Sequence, residues 1–539
     1  MLLIRVFANF SWFLSTLIKT IKFSVALKNP IIAQENYLRN LLNANKQTSY
    51  LKNFTGLKEK NSSGFIQNIP VSTYSYYETY IHDITQGKNN ILSKSSVKMC
   101  SVTSGTTSAP KLIPVTNKLL SEFQNGIAPW IHFLYITYPK LFNRSFFWII
   151  SPNTTYEKTN SLTPIQFDTD SSYLNPLEKI ISKQILTLPD ILANINNPQN
   201  YYYALGYYML YDKNIGLISI WNPSLLPLIL ESITKNRFNL ISDIANGKLS
   251  LPQPEPKVKL PVRKSDKKRA TEVGKYLNTT DALAVNWKEI WLGLQVISCW
   301  TDGWSENLIH KCITPYFPGV SIQGKGLLAT EFFASIPFRK NSNPVLAIRS
   351  HFFEFRNTNT SQITSFKKLE LNTPYELIVT TGSGFYRYAT ADIVEITSFV
   401  HKTPCIKFIR KNNLISDLCG EKLHNDLVYE TFFKTNEKYT NFYAESLLCP
   451  YYNESQTGYY ICTPISTKEN IEAQQSEIEI YIDNLLQQNY HYKHCRNLNQ
   501  LSCVKLQFCN NMPKKTNGYL STHKPVVLIN QTNAFKNLI

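Results

Sequence analysis

The chain has 539 residues, 43% of them hydrophobic, and a formal net charge of +18 from 56 Lys+Arg against 38 Asp+Glu. That length and apolar content describe an ordinary globular protein with a large buried core in two or more domains. The basic balance favours polyanions in general, yet the charges are dispersed, and a nucleic-acid partner is not expected. The one dense basic run, Lys257 to Arg269, is set among Pro252, Pro254, Pro256 and Pro261 and reads as a solvated linker or surface loop. Ten cysteines contain no Cys-x-x-Cys pair, which excludes a zinc ribbon or a disulfide framework and points to a reducing, cytoplasmic setting.

In chain order, Met1 to Phe23 places Leu3, Ile4, Phe7, Phe10, Leu14, Leu17, Ile18 and Ile21 at helical spacing. Asn9, Ser11 and Ser15 interrupt the apolar run, so the segment reads as neither a signal peptide nor a span of ~20 apolar residues. It is expected to be a helix packed on the core, with weak contact to a membrane surface left open, and no later segment reads as transmembrane. A second helix is expected over Gln34 to Leu42, followed by a loop-rich region from Asn61 to Ile69.

Val97 to Val102 reads as a strand and Asn117 to Phe123 as the opening of a helix. Between them lies Thr103-Ser104-Gly105-Thr106-Thr107-Ser108-Ala109-Pro110-Lys111, in which hydroxyls crowd one glycine and a lysine follows. Backbone N–H groups, hydroxyls, the positive end of the helix and Lys111 together make an anion cradle. It is not a Walker loop, because no Gly-Lys-Ser/Thr closes it.

From Phe146 to Ala245, strands (Phe146 to Ile150, Ile215 to Trp221) alternate with helical stretches (Leu186 to Ile195, Tyr201 to Leu210), which predicts a sheet with helices on its faces. Trp221-Asn222-Pro223-Ser224 opens a further helix. Gly324 to Ala329 formally fits G-x-G-x-x-A, but no strand unit at the chain start precedes it, and Arg349 stands where a ribose-binding acid would fall. Further on, Leu427 to Phe433 and Asn470 to Gln487 read as helices and Tyr459 to Thr463 as a strand.

The segment Thr103 to Lys111 resembles the phosphate-gripping signature of the adenylate-forming superfamily. Leu112-Ile113-Pro114-Val115-Thr116 and the approach Ile69-Pro70-Val71-Ser72-Thr73-Tyr74 are similar to one branch, the Gretchen Hagen 3 acyl-acid amido synthetases. So are Gly382-Ser383-Gly384-Phe385-Tyr386-Arg387-Tyr388-Ala389-Thr390-Ala391-Asp392, where Ala391 stands in place of the family's usual Gly, and Gly420-Glu421-Lys422-Leu423. The resemblance implies an α/β (mixed α+β) fold, with a large N-terminal multi-sheet domain over 1–410 and a smaller mobile α+β lid over 411–539. It implies ATP and Mg²⁺, a small carboxylic acid and an amino acid as partners, and a monomeric ligase that makes an acyl-adenylate and then an amide.

Residue by residue, the resemblance carries phosphate binding to Thr103, Ser104, Gly105, Thr106, Thr107 and Lys111. It carries the α-phosphate and acyl carboxylate to Thr330, Mg²⁺ to Glu331, the ribose hydroxyls to Asp392 and the hinge to Arg410. The mobile domain's lysine falls to Lys524, in the frame Ser521-Thr522-His523-Lys524-Pro525. Trp300 is the candidate wall of an acyl pocket, with Tyr316, Phe317, Phe352 and Phe353 as further aromatic candidates. Two other readings stay open: transfer to a thiol such as coenzyme A or a carrier protein, and a nucleotide-binding interaction protein without catalysis.

Overall fold

The computed structural model describes residues 2–54, 62–102, 111–149, 161–166, 176–195, 197–255, 258–303, 305–340, 342–411, 415–416, 418, 421, 423–442, 446–452, 457–497, 501–510, 512 and 527–529. It divides into two compact units, the described residues up to 409 and those from 410 onward. Both mix helices and strands.

Three sheets build the first unit. Ser145–Trp148, Ile215–Ser219, Val296–Cys299 and Ser321–Gly324 lie side by side, all parallel. The first three are buried along nearly their whole length, as the continuous apolar runs of a helix-covered parallel sheet require. Helices Pro198–Tyr211 and Leu225–Lys235 cross between them and join a core that includes Tyr203, Tyr207, Tyr208, Trp287 and Trp291.

A seven-stranded sheet follows the order Ile363–Thr364, Phe352–Asn357, Pro374–Thr380, Tyr388–Val400, Thr403–Lys411, Val345–Leu346, Ser335–Ile336. The third sheet pairs Val97–Val102 with Leu112–Thr116 antiparallel and with Ile165–Gln166 in parallel. Residues 103–111 connect the two antiparallel strands, and Leu112–Thr116 runs straight into helix Asn117–Thr137, capped by Thr116 Oγ1 accepting from Leu119 N.

The N-terminal helix is Leu2–Lys28, 27 residues, longer than the sequence suggested. By length and composition it is apolar enough to cross a membrane, which corrects the expectation that it falls short. It is nevertheless docked by its polar residues. Asn9 Nδ2 donates to Arg144 O at 3.0 Å, Tyr135 Oη donates to Asn9 Oδ1 at 2.6 Å, and Thr16 Oγ1 lies 3.1 Å from His132 Nδ1.

Four other expectations change. Residues 62–68 form a helix rather than a loop, because the Glu35 carboxylate accepts from both Ser62 N and Ser62 Oγ and anchors its first turn. Leu186 forms a bridge to Phe146, and only Asp190–Asn194 turns, as a short 3-10 helix after Pro189, which holds the residue before it extended. Asn470 to Gln487 is interrupted by a 3-10 turn over Glu472–Gln474, ahead of helix Gln475–Leu486. The basic run is not wholly solvated: Arg269 is buried, donating to Leu210 O at 2.7 Å and Ile290 O at 3.2 Å.

In the second unit, Leu447–Tyr452, Thr457–Pro464 and Lys505–Cys509 form a sheet. Helices Asn425–Lys438 and Gln475–Leu486 share with it a core of Val428, Phe432, Ile461, Ile478 and Ile482.

Candidate active site

Lys111 stands immediately before strand Leu112–Thr116, half-buried, with Nζ 3.5 Å from Tyr388 Oη and 5.2 Å from the centre of the Tyr74 ring. Tyr74 is pinned by the same strand, donating to Leu112 O at 3.2 Å and accepting from Leu112 N at 2.7 Å. Thr330 and Glu331 form the tip of a tight turn closed by Ala329 N donating to Phe332 O (2.9 Å) and Phe332 N donating to Ala329 O (3.3 Å). Burial, and after it the negative charges of Glu331 and Asp392, push the Tyr388 phenol far up. The Tyr74 phenol is raised to about 12, mainly by burial, with Glu331 among the contributing charges. Lys111, more than two hundred residues from both Glu331 and Asp392 in sequence, thus shares with them a single neutral phenol, in contact with the lysine and under the charge of both carboxylates.

Asp392 owes its direction to a bulge. Opposite strand Pro374–Thr380, Ala389 pairs with Ile378 and Ile393 with Glu376, so four steps on one strand face two on the other. Ala391 takes up the slack at φ 60°, Thr390 Oγ1 donates to Leu377 O at 2.7 Å, and Asp392 N donates to Thr390 Oγ1 at 3.0 Å. Just upstream, Arg387 (φ 50°) forms a buried fork with Glu354, Nε to Oε2 at 3.0 Å and Nη2 to Oε1 at 2.9 Å. Its Nη1 donates to Ile66 O and Ile69 O, which ties the segment before Tyr74 to the sheet.

A second buried group holds the three segments in register. The Glu122 carboxylate, on helix Asn117–Thr137, accepts from Gly382 N (2.7 Å) and Tyr37 Oη (2.8 Å) and faces His351 Nδ1 at 3.2 Å. His351 Nε2 accepts from Phe333 N at 2.9 Å, which places its proton on Nδ1, toward Glu122. Helix Asn117–Thr137 is thereby joined to Phe333, next to the turn carrying Glu331, and to Gly382, ahead of the strand carrying Asp392. Gly382 admits this approach, since a Cβ there would lie 2.4 Å from Lys118 Cγ and 2.5 Å from Glu122 Oε1.

Thr103, Ser104, Gly105, Thr106, Thr107 and Lys524 lie outside the described residues. Arg410 is the first residue of the second unit, on strand Thr403–Lys411. Trp300 is half-buried directly after strand Val296–Cys299, its ring 5.8 Å from that of Trp221. Tyr316, Phe317, Phe352 and Phe353 are core side chains.

Lys325, inside the rejected G-x-G-x-x-A stretch, is a group the sequence did not single out. It is buried, donates to Ser219 Oγ at 2.6 Å, and holds Nζ 4.4 Å from the centre of the Trp221 ring and 5.1 Å from those of Trp130 and Trp148. Trp148, Ser219 and Gly324 end parallel strands here, where open α/β sheets take their ligands. The three tryptophans are scattered along the chain, so no local pattern announces them. Among the described residues no group of three or more His, Cys, Asp or Glu could hold a metal ion. A glutamate at a turn tip suits an ion such as Mg²⁺ that fills its shell with phosphate and water.

Residues 19–322 match the GH3 family N-terminal domain and residues 344–411 the GH3 family central domain. Indole-3-acetic acid-amido synthetase GH3.4 of Arabidopsis thaliana is 24% identical over 446 residues, 76% of this chain and 71% of that relative. Indole-3-acetic acid-amido synthetase GH3.17 of the same plant is 20% identical over 533 residues, 86% and 84% of the two chains. A solved structure described as AtGH3.15 acyl acid amido synthetase in complex with 2,4-DB shares the fold. Its TM-score is 0.76 at 18% identity, covering 96% of this chain and 95% of that one.

Proposed function

Because this chain belongs to the GH3 family, we propose that it is an ATP-dependent acyl-acid amido synthetase. A carboxylate oxygen of the acid attacks the α-phosphorus of ATP, pyrophosphate leaves, and an acyl-adenylate forms. An amino acid's amine then attacks the acyl carbon, AMP leaves with the former carboxylate oxygen, and the amine gives up a proton as the amide forms. The observation that carries this reading is the convergence of Lys111, Glu331 and Asp392 on Tyr388.

Lys111 is the point charge that answers the negative charge growing on the phosphates. Tyr388, kept neutral by its burial and its anionic neighbours, accepts from the lysine's Nζ. Asp392, aimed by the bulge, accepts from the ribose hydroxyls, and Thr330 donates to the α-phosphate side. Glu331 would hold Mg²⁺, which supplies Lewis-acid neutralisation of the phosphates. Trp300 and Trp221 are our candidates for the wall facing the acid. We assign the change between half-reactions to rotation of the second unit about Arg410 and Lys411, with Lys524 as its cation, since moving lids commonly gate such steps.

The test is pyrophosphate release across a panel of carboxylic acids, with and without each amino acid. Acid-dependent release and an amide product are expected, with Lys111→Ala and Glu331→Ala each lowering the rate by roughly 10²–10³-fold. A thioester product would reassign the acceptor, and no release with any acid would overturn the enzyme reading.

A further inference from the structure

The N-terminal helix is apolar on both faces: Trp12, Phe23 and Leu27 are buried in the core, and a second apolar row faces outward. Asn9, Thr16 and Thr20 are buried, and the helix turns Leu2, Leu3, Ile4, Phe7, Phe10, Leu14, Leu17, Ile18, Ile21 and Val25 outward. Leu3 is 84% exposed, Phe7 73% and Ile18 67%, values that belong to a side chain in open water. A soluble protein shows such residues singly; here they form one stripe along a helix of 27 residues, about 40 Å long.

Neighbouring elements expose apolar side chains as well. Packed against it, the helix Pro176–Ser182 exposes Leu177 (59%) and Ile180 (67%), and Ile32 (61%) follows four residues past Lys28.

Helix Leu2–Lys28 carries no acid, and its exposed charges are Lys22 and Lys28, whereas Lys19 is partly buried and donates to Gln124 Oε1. Lys179 and Lys183 are exposed beside Leu177 and Ile180, whereas Glu178, the one carboxylate of that short helix, is buried and acts on Lys19. An apolar strip with exposed Lys22, Lys28, Lys179 and Lys183 on its two helices matches the boundary of an anionic bilayer, where acyl chains take the apolar residues and headgroups take the lysines. Spanning is a poor fit, because the hydrogen bonds from Asn9 Nδ2 to Arg144 O, from Tyr135 Oη to Asn9 Oδ1 and from Thr403 Oγ1 to Leu27 O hold the helix to the core along most of its length.

We propose that the outward face of Leu2–Lys28, extended by Leu177 and Ile180, seats this protein on the surface of an anionic membrane, with the helix axis in the plane of the headgroups.

The full chain is sedimented with vesicles of phosphatidylcholine alone and with about one-third phosphatidylserine, at low and high salt. Binding to the anionic vesicles, weakened by salt and by leaving out phosphatidylserine, is expected. A Phe7→Ser/Ile18→Ser double variant should bind roughly tenfold or more weakly, and a Lys22→Glu/Lys28→Glu variant should lose the preference for phosphatidylserine. Both should keep the wild-type rate of acid-dependent pyrophosphate release with a water-soluble acid, since none of these residues is in the active site. Sedimentation velocity without lipid decides the rival occupant: a dimer that the Phe7/Ile18 variant makes monomeric would mean that a second copy covers the face. That result, or equal recovery with and without vesicles, would overturn the proposal.

Discussion

Ala391 sits at φ 60°, where an L side chain is strained and glycine is at ease. The bulge that aims Asp392 requires this conformation, so the family's usual glycine has a backbone reason, and the methyl group here is a standing cost. Ala391→Gly should raise stability by about 1 kcal/mol or less, read as a higher urea midpoint at unchanged slope. A lower midpoint would mean that the methyl packs usefully. Asp392 was legible from its neighbours in sequence, Tyr386, Arg387 and Tyr388. What Tyr388 does was not, since Lys111 is 277 positions away and only the folded sheet brings the two together. Lys325 stayed hidden for the same reason, its ring partners lying 177 to 195 positions upstream at Trp148 and Trp130, with Trp221 between.

Helix Asn117–Thr137 is tied through Glu122 to Gly382, ahead of the 388 strand, and through His351 to the 330 turn. Gly382→Ala would drive a methyl group into the Glu122 carboxylate, which is fixed from three sides. We expect a loss of about 1–3 kcal/mol and weaker AMP binding in the refolded protein, measured by denaturation and calorimetric titration. Wild-type stability with unchanged AMP affinity would show that the helix is free to shift.

The same helix carries His132, buried against Thr16 and stacked on Phe13 at 4.2 Å, and burial lowers its pKa from 6.5. A depressed folded pKa gives stability that is complete above the unfolded value and lost as pH falls through the folded one. Acidification below about pH 6.5 should therefore loosen the N-terminal helix. His132→Asn should make the fall in stability between pH 7 and 5 shallower than in wild type, and an identical slope would remove His132 from the account. The strand at Ile215–Ser219 and the opening of the helix over Asn117 to Phe123 were readable in advance, whereas the helix's continuation to Thr137 past Pro129 was not. Nor was the helix at Ser62–Asn68, because its anchor is Glu35, 27 residues back.

Two units with separate cores should unfold in separable steps. Differential scanning calorimetry with MgATP, about 100-fold above its Kd, should shift the transition of the large unit by the equivalent of about 2.7 kcal/mol. Asp392→Ala should abolish most of that shift, and a shift confined to the small unit would place the nucleotide elsewhere. The division of the large unit into two cores depends on contacts of long sequence separation and left no local mark in the sequence.

The docked polar face of the first helix has a practical corollary for anyone shortening the chain. Deleting residues 2–28 would strip an oily exterior and, in the same cut, remove Trp12 and Phe23 from the interior. Tyr135, Arg144 O, Lys402 N and Thr403 would each lose the atom they bond to there. Solubility and integrity therefore pull against each other at this terminus. Trimming single outward side chains, not the segment, is the way to a better-behaved protein.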